Sequence, residues 1–231
     1  MNQVTAAIQT VCADEGCASR TLWARYGKRV CDLIGAAVLM LLLLPLLLVA
    51  GLAVKLTSPG AMFFSQARAG RGGRVFRIWK FRTMRAGRVH DLKEIIPLSH
   101  PEVTPVGRVL RRTKVDELPQ LYSVLIGDMS LIGPRPALPE QAAAYDAFRR
   151  QRLLVRPGMT GLAQVNSNAQ VSWDERILYD IVYVRRCGLL MDLGIVLRTI
   201  VVLLFSEART TRPFRTSPYG HVLEVPADIQ Y

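Results

Sequence analysis

Residues 33–54 read LIGAAVLMLLLLPLLLVAGLAV, 22 consecutive positions without a charged side chain. As a straight helix at 1.5 Å per residue this run is about 33 Å long, enough to cross a bilayer's hydrocarbon core. It begins too late and runs too long for a cleaved signal peptide, and no small-residue cleavage motif follows it. Two features argue against a plain spanning helix. Both flanks are basic, with Arg20, Arg25, Lys28 and Arg29 before it and Lys55, Arg68, Arg71, Arg74 and Arg77 after it. A spanning segment carries its Lys/Arg excess on one side. Pro45 stands near the middle, where it removes a backbone donor and clashes with the preceding turn. Each half is then about 17 Å, one leaflet deep. Two forms fit: a helix–break–helix hairpin that re-enters the face it left, and a Pro-kinked helix that spans.

The whole chain supports a divided surface. Half of its 231 residues are hydrophobic, which excludes a disordered chain. Lys and Arg number 30 against 18 Asp and Glu, a net charge of +12. Such a chain has one part for lipid and another for anions. Cys12, Cys17, Cys31 and Cys187 match no zinc spacing, and His90, His100 and His221 are scattered. Free thiols in a reducing compartment are the expectation.

Outward from the apolar run, residues 1–19 read as a flexible tail, and 20–55 as an interfacial helix plus the membrane hairpin. Residues 56–205 read as the catalytic domain and 206–231 as a C-terminal tail. Within 63–85, short apolar runs flank Gly70, Gly72 and Gly73, the pattern of a β-hairpin. Residues 106–126 have helical spacing interrupted at Pro119, 127–140 read as loop, and 141–154 as a charged amphipathic helix. A turn and short strand are expected over 156–166, and helices over 173–186 and 188–205. The last carries Asp192 and Arg198 in an apolar run, which suits an interfacial helix better than a spanning one.

Eight basic residues and no acid lie between Arg68 and Arg88. Next to a membrane segment they point to headgroups or a substrate phosphate, and no nucleic-acid motif accompanies them. Asp116-Glu117 follows Arg108, Arg111, Arg112 and Lys114. Basic neighbours are expected to keep Asp116 ionised, as a nucleophile or a Mg²⁺ ligand, while repulsion within the pair leaves Glu117 for proton transfer. Arg135 stands between Pro134 and Pro136, and Arg156 precedes Pro157-Gly158. Proline on both sides stiffens the backbone that aims a guanidinium at a phosphate. A polybasic anchor without chemistry accounts for the charge and the apolar run, but not for these proline-fixed arginines.

Three stretches, KFRTMR (80–85), DELPQLYSVLIGDMSLIGPRP (116–136) and RPGMTGLAQVN (156–166), resemble the bacterial sugar transferases, monotopic polyprenyl-phosphate phosphoglycosyl transferases. The resemblance covers about residues 22–205. It implies an α/β, membrane-associated monotopic fold with a re-entrant hairpin broken at Pro45, amphipathic interfacial helices and a small sheet. It implies transfer of a sugar 1-phosphate from a UDP-sugar to undecaprenyl phosphate with release of UMP. The place is the cytoplasmic face of the bacterial inner membrane and the product starts an exopolysaccharide or other surface glycan. Carried over, Asp116 is the nucleophile that forms a phosphosugar-aspartate in a ping-pong scheme. Glu117 handles protons or shares Mg²⁺ with Asp116. Lys80, Arg111, Arg135 and Arg156 neutralise phosphate, and Gln164 and Asn166 help hold the nucleotide. Membrane lipids are partners, and the reading leaves room for a homodimer. Some relatives place Ser before the hairpin proline. Here Leu44 precedes Pro45, so the break rests on proline and packing. Some relatives also carry extra N-terminal membrane helices, whereas about 20 residues precede the interfacial helix here, which implies the minimal catalytic form. The competing reading, a degenerate relative acting as a scaffold, requires a damaged site, and the matched motifs are intact.

Overall fold

The computed structural model describes residues 23–85, 96–167, 171–205, 211, 213–223 and 225. The N-terminal tail, half of the C-terminal tail and the end of the 68–88 basic stretch lie outside the described residues.

A short π-helical turn, Trp23–Gly27, leads into α1, Lys28–Thr57. Both halves of the apolar run, together with residues 28–32 of the expected interfacial helix, form one 30-residue helix with Pro45 inside it. Its buried and half-buried positions include Asp32, Ala36, Met40, Leu43, Leu47, Ala50 and Val54. Every step between them is three or four residues, which keeps them on one stripe, so the helical phase carries through Pro45. Pro45 faces outward, and so does Leu41, whose carbonyl it leaves without a partner. The remaining surface is exposed leucine and valine.

Both ends of that stripe rest on the same body. Ala36 packs with Phe76, Ile78, Leu121, Val124 and Met129. Ala50 and Val54 pack with Phe81 and Leu110. The expected hairpin is present as β1, Phe63–Ala69, and β2, Val75–Phe81, antiparallel from Phe63↔Phe81 to Ala69↔Val75. Gly72 and Gly73 supply the positive φ of its turn, at 66° and 79°.

The interrupted 106–126 segment becomes three pieces: α2 (Pro105–Arg112), a 3₁₀ segment (Val115–Gln120) and α3 (Leu121–Ile126). Thr104 caps α2 by accepting from the Gly107 N–H, with Pro105 at the first helical position. Two short strands follow, β3 (Ser130–Ile132) and β4 (Gly158–Thr160), parallel to each other. The loop expected over 127–140 thus contains a strand. The helix expected over 141–154 is instead broken into α4 (Pro139–Ala143), α5 (Ala147–Arg150) and a 3₁₀ turn, Gln151–Leu154. Asp146 starts a new helix there by capping α5. After β4, residues Leu162–Asn166 are helical (α6) rather than extended.

Helix α7, Trp173–Arg186, is the centre of the largest core. Ser172 caps it, acids open it and arginines close it, all in line with its dipole. It is buried on nearly every side from Ile177 to Val184. Helix α8, Leu189–Phe205, turns Asp192 inward and leaves Leu190, Leu197 and Leu204 exposed. Asp192 accepts from Trp23 Nε1 at 3.0 Å, Lys28 Nζ at 3.1 Å and Tyr183 Oη at 2.8 Å. This hub fastens the start of α1 to the start of α8. It explains how an apolar helix carries an acid.

Candidate active site

Strand β2 alternates Phe76, Ile78 and Lys80 on its inner side, so the ammonium of Lys80 points where two core residues already point. The 3₁₀ segment 115–120 packs against that strand. Lys114, at φ 59°, makes the left-handed turn that separates α2 from it. A non-glycine residue in that region carries strain and occurs where the chain must change direction sharply. The turn brings Asp116 and Glu117 over Lys80.

Glu117 takes Lys80 Nζ at 2.6 Å. On its other side Arg135 reaches Oε1 with Nη2 at 2.8 Å and Oε2 with Nη1 at 3.4 Å, a forked contact. Burial alone pushes Glu117 upward, but Arg135 and Lys80 together hold its carboxyl well below the usual range. Asp116 is 8 % exposed. Among the described residues no side chain donates to its carboxylate. Burial and the Glu117 charge push it up to about 6, against the pull of Lys80, Arg111 and Lys114. Arg111 and Lys114 favour the charged form of Asp116 as the sequence suggests, but burial outweighs them, while Lys80 and Arg135 hold Glu117 as an anion.

Arg111 stands close enough to favour the charged form of Asp116, but burial lowers its own pKa. It donates to Thr83 Oγ1 at 2.8 Å and to the Ile96 carbonyl at 3.3 Å. Lys80, Arg111 and Arg135 thus gather around the acidic pair. Arg156 does not join them. It donates to the Gly127 carbonyl at 2.9 Å, and its charged neighbours are Arg29, Arg71 and Asp32. Arg29 donates to Val124 O and Leu125 O, so the two arginines together serve the carbonyl end of α3. Asn166 is also occupied by the fold, donating to Leu162 O and accepting from Arg198 Nη1 at 2.7 Å. Both amide atoms of Gln164 are buried and unpaired among the described residues, the state of a group that a ligand completes.

Arg68 was one of many arginines in the sequence and is singled out only by the fold. It donates to Pro136 O at 3.2 Å and to Gln66 Oε1 at 2.6 Å. Burial and the adjacent Arg135 charge bring it down to about 10. Its place beside Arg135 comes from the bridge between the ends of β1 and the 134–137 loop, where Ala69 pairs with Ala137. Nothing in residue spacing signals that meeting.

Beside the pair lies an apolar cavity of about 370 Å³. Met40, Leu47 and Leu48 of α1, Trp79 and Phe81 of β2, and Pro119 and Tyr122, which follow the acidic pair in the chain, line it. Among the described residues no group of three or more metal-ligating side chains assembles.

The bacterial sugar transferase family model matches residues 23–206, a span that contains every element described above. The chain belongs to the bacterial sugar transferase family. This transferase is 44 % identical over 198 residues to a UDP-glucose:undecaprenyl-phosphate glucose-1-phosphate transferase of Caulobacter vibrioides, covering 78 % of this chain and 70 % of the relative. It is 40 % identical to a UDP-N-acetylgalactosamine-undecaprenyl-phosphate N-acetylgalactosaminephosphotransferase of Aeromonas hydrophila, covering 77 % of this chain and 43 % of that protein. It is 36 % identical to the exopolysaccharide production protein ExoY of Rhizobium meliloti, over 78 % of this chain and 86 % of the relative. The transferase therefore spans most of some relatives and less than half of others.

Proposed function

We propose that the protein transfers a sugar 1-phosphate from a UDP-sugar to undecaprenyl phosphate and releases UMP, as the first step of exopolysaccharide or other surface-glycan assembly. One observation carries the reading: a buried Asp116, to which no described side chain donates, beside a Glu117 that Lys80 and Arg135 hold in place, in a chain whose relatives are named for this chemistry.

Asp116 attacks the β-phosphorus of the donor. A bond forms between its carboxylate oxygen and phosphorus, the bond to the bridging oxygen breaks, and UMP leaves with that electron pair. The result is a phosphosugar-aspartate. A phosphate oxygen of the acceptor then attacks the same phosphorus, and Asp116 departs with its electrons. Splitting the transfer lets one nucleophile serve a water-soluble donor and a lipid acceptor in turn. Phosphoryl transfer needs alignment and charge neutralisation above all. Lys80 and Arg135 lie where they would meet the diphosphate, and Glu117 holds both cations at its own oxygens until then.

Mg²⁺ fits this donor set. It is taken by one or two carboxylates together with substrate phosphates rather than by a protein cage. Asp116 and Glu117 would hold it, and it would neutralise phosphate charge.

The apolar faces supply the membrane. Leu41, Leu42 and Leu48 of α1 are 73, 69 and 65 % exposed, and Leu190 and Leu204 of α8 are 84 and 71 % exposed. A monomer leaves so much apolar surface open only where something covers it. Basic flanks and a UDP-linked donor favour the cytoplasmic face of the inner membrane. Because both ends of α1 rest on one body, we read it as dipping into one leaflet with both flanks on that face. The cavity that Tyr122 helps to line then takes the first isoprene units of the acceptor.

The test is UMP release by detergent-purified protein with Mg²⁺, undecaprenyl phosphate and a panel of UDP-sugars, with Asp116→Asn alongside. Release with one donor, lost in the variant, supports the reading. Release that survives in Asp116→Asn overturns the assignment of the nucleophile.

A further inference from the structure

Arg135 lies in a segment with few donors, since neither Pro134 nor Pro136 has an N–H. The loop is held through its carbonyls instead. Pro134 O accepts from the Gly158 N–H at 2.9 Å, and Ala137 O from the Ala69 N–H at 2.9 Å. Pro136 O accepts from Arg68 Nη1. The carbonyl of Arg135 itself accepts from Arg152 Nη2 at 2.9 Å. Four successive carbonyls are therefore fixed from three separate places, β4, the end of β1 and Arg152.

Arg152 stands apart from the other three donors. Its side chain is 2 % exposed, and it is paired with Asp180, 1 % exposed, on the central helix α7 at 2.5 Å. Nη1 donates to Tyr145 Oη at 2.6 Å. The guanidinium also lies 5.1 Å from the Trp173 ring centre and 5.7 Å from that of Tyr145. A buried ion pair is poor evidence of stabilisation, because apolar groups of the same volume often serve the fold as well. Here one end of the pair sits on the most deeply buried helix, and the other touches the backbone of the residue that grips Glu117.

We infer that Arg152, held by Asp180, is a positioning residue for Arg135: it fixes the main chain from which the phosphate-facing guanidinium projects. The inference rests on the proposed transfer at Asp116. Arg152 touches neither Glu117 nor Asp116, so it acts only through Arg135. A lysine at 152 keeps a charge for Asp180 but lacks the planar fork that serves carboxylate, phenol and carbonyl together.

The test is a double-mutant cycle on full-length protein, with UMP release and thermal unfolding measured for Arg152→Lys, Arg135→Ala and both together. Arg152→Lys is expected to cut kcat/KM for the UDP-sugar ten- to a hundredfold. It should add less than twofold to the loss already present in Arg135→Ala. Losses that multiply in the double variant, or full activity in Arg152→Lys, overturn the inference. Should Arg152→Lys fail to fold, Arg152→Met with Asp180→Leu removes both charges and is put through the same cycle. Wild-type protein that releases no UMP overturns the transfer reading instead. The same cycle is then read by UDP binding in a calorimeter, where weaker binding by Arg152→Lys that vanishes on the Arg135→Ala background supports positioning and unchanged binding overturns it.

Discussion

Arg135 forks onto Glu117 and leaves Asp116, the next residue back, without a side-chain donor among the described residues. Two carboxylates joined by one peptide bond thus have opposite electrostatic surroundings. Glu117 is the permanent anion of the site, and Asp116 is the one whose charge depends on pH.

Turnover should follow that dependence. Only the ionised carboxylate attacks phosphorus, and Asp116 ionises at about 6. At constant limiting Mg²⁺, where the metal-free pair sets the titration, kcat/KM for UMP release is expected to fall about tenfold per pH unit below that value and to level off above it. Rates measured between pH 4.5 and 8.5 check this, and a flat profile would separate Asp116 from the rate.

Stability should move in opposite directions at the two positions. The folded protein holds Asp116 protonated up to about 6, above its ordinary 3.8. The folded state therefore binds more protons than the unfolded one in that interval, and stability declines as pH rises through it. Asp116→Asn removes the penalty and should stabilise the protein by about 1–3 kcal/mol at pH 7.5. Glu117→Gln leaves Lys80 and Arg135 without their counter-charge and should destabilise by about 1–3 kcal/mol. Thermal melting of both variants at one pH gives the two signs directly.

Asp192 carries a structural prediction. Asp192→Asn removes the charge that Lys28 pairs with and disturbs the bonds from Trp23 and Tyr183. Breaking a buried pair on one side costs about 3–5 kcal/mol. Denaturant unfolding should show that loss, with the Asp116 site unchanged in its pH profile.

The membrane reading predicts where the protein goes. Leu41→Asp with Leu42→Asp places two charges on an exposed apolar part near the middle of α1 and should move most of the protein from the membrane fraction to the soluble one. Cysteines introduced singly at Val30 and Leu56, in protein otherwise free of cysteine, should react with an impermeant reagent from the same side. Labelling from opposite sides would make α1 a spanning helix. In the same assay Pro45→Ala, which restores the N–H that the Leu41 carbonyl lacks, should move the labelling toward the two-sided pattern.

The sequence by itself determined the local and chemical facts of this protein. An uncharged run of leucines makes one long apolar helix, a glycine-rich turn between apolar alternations makes a hairpin, and an acidic pair with a proline-flanked arginine points to phosphate as the expected ligand. These are properties of neighbours along the chain. The tertiary structure decided which groups meet. Lys80 and Arg135 reach Glu117 from 37 and 18 residues away, and burial around Asp116, rather than the basic residues beside it in sequence, sets its charge. Arg156 and Asn166 read like ligands in one dimension, yet Arg156 Nε is bonded at the end of α3 and the Asn166 amide at the end of α6. Arg152 and Asp180 carry no motif, and they matter because α7 is buried on nearly every side, so a charge on it has to find its partner inside. Charge pairing and desolvation depend on distance and enclosure, and neither quantity exists until the chain has folded.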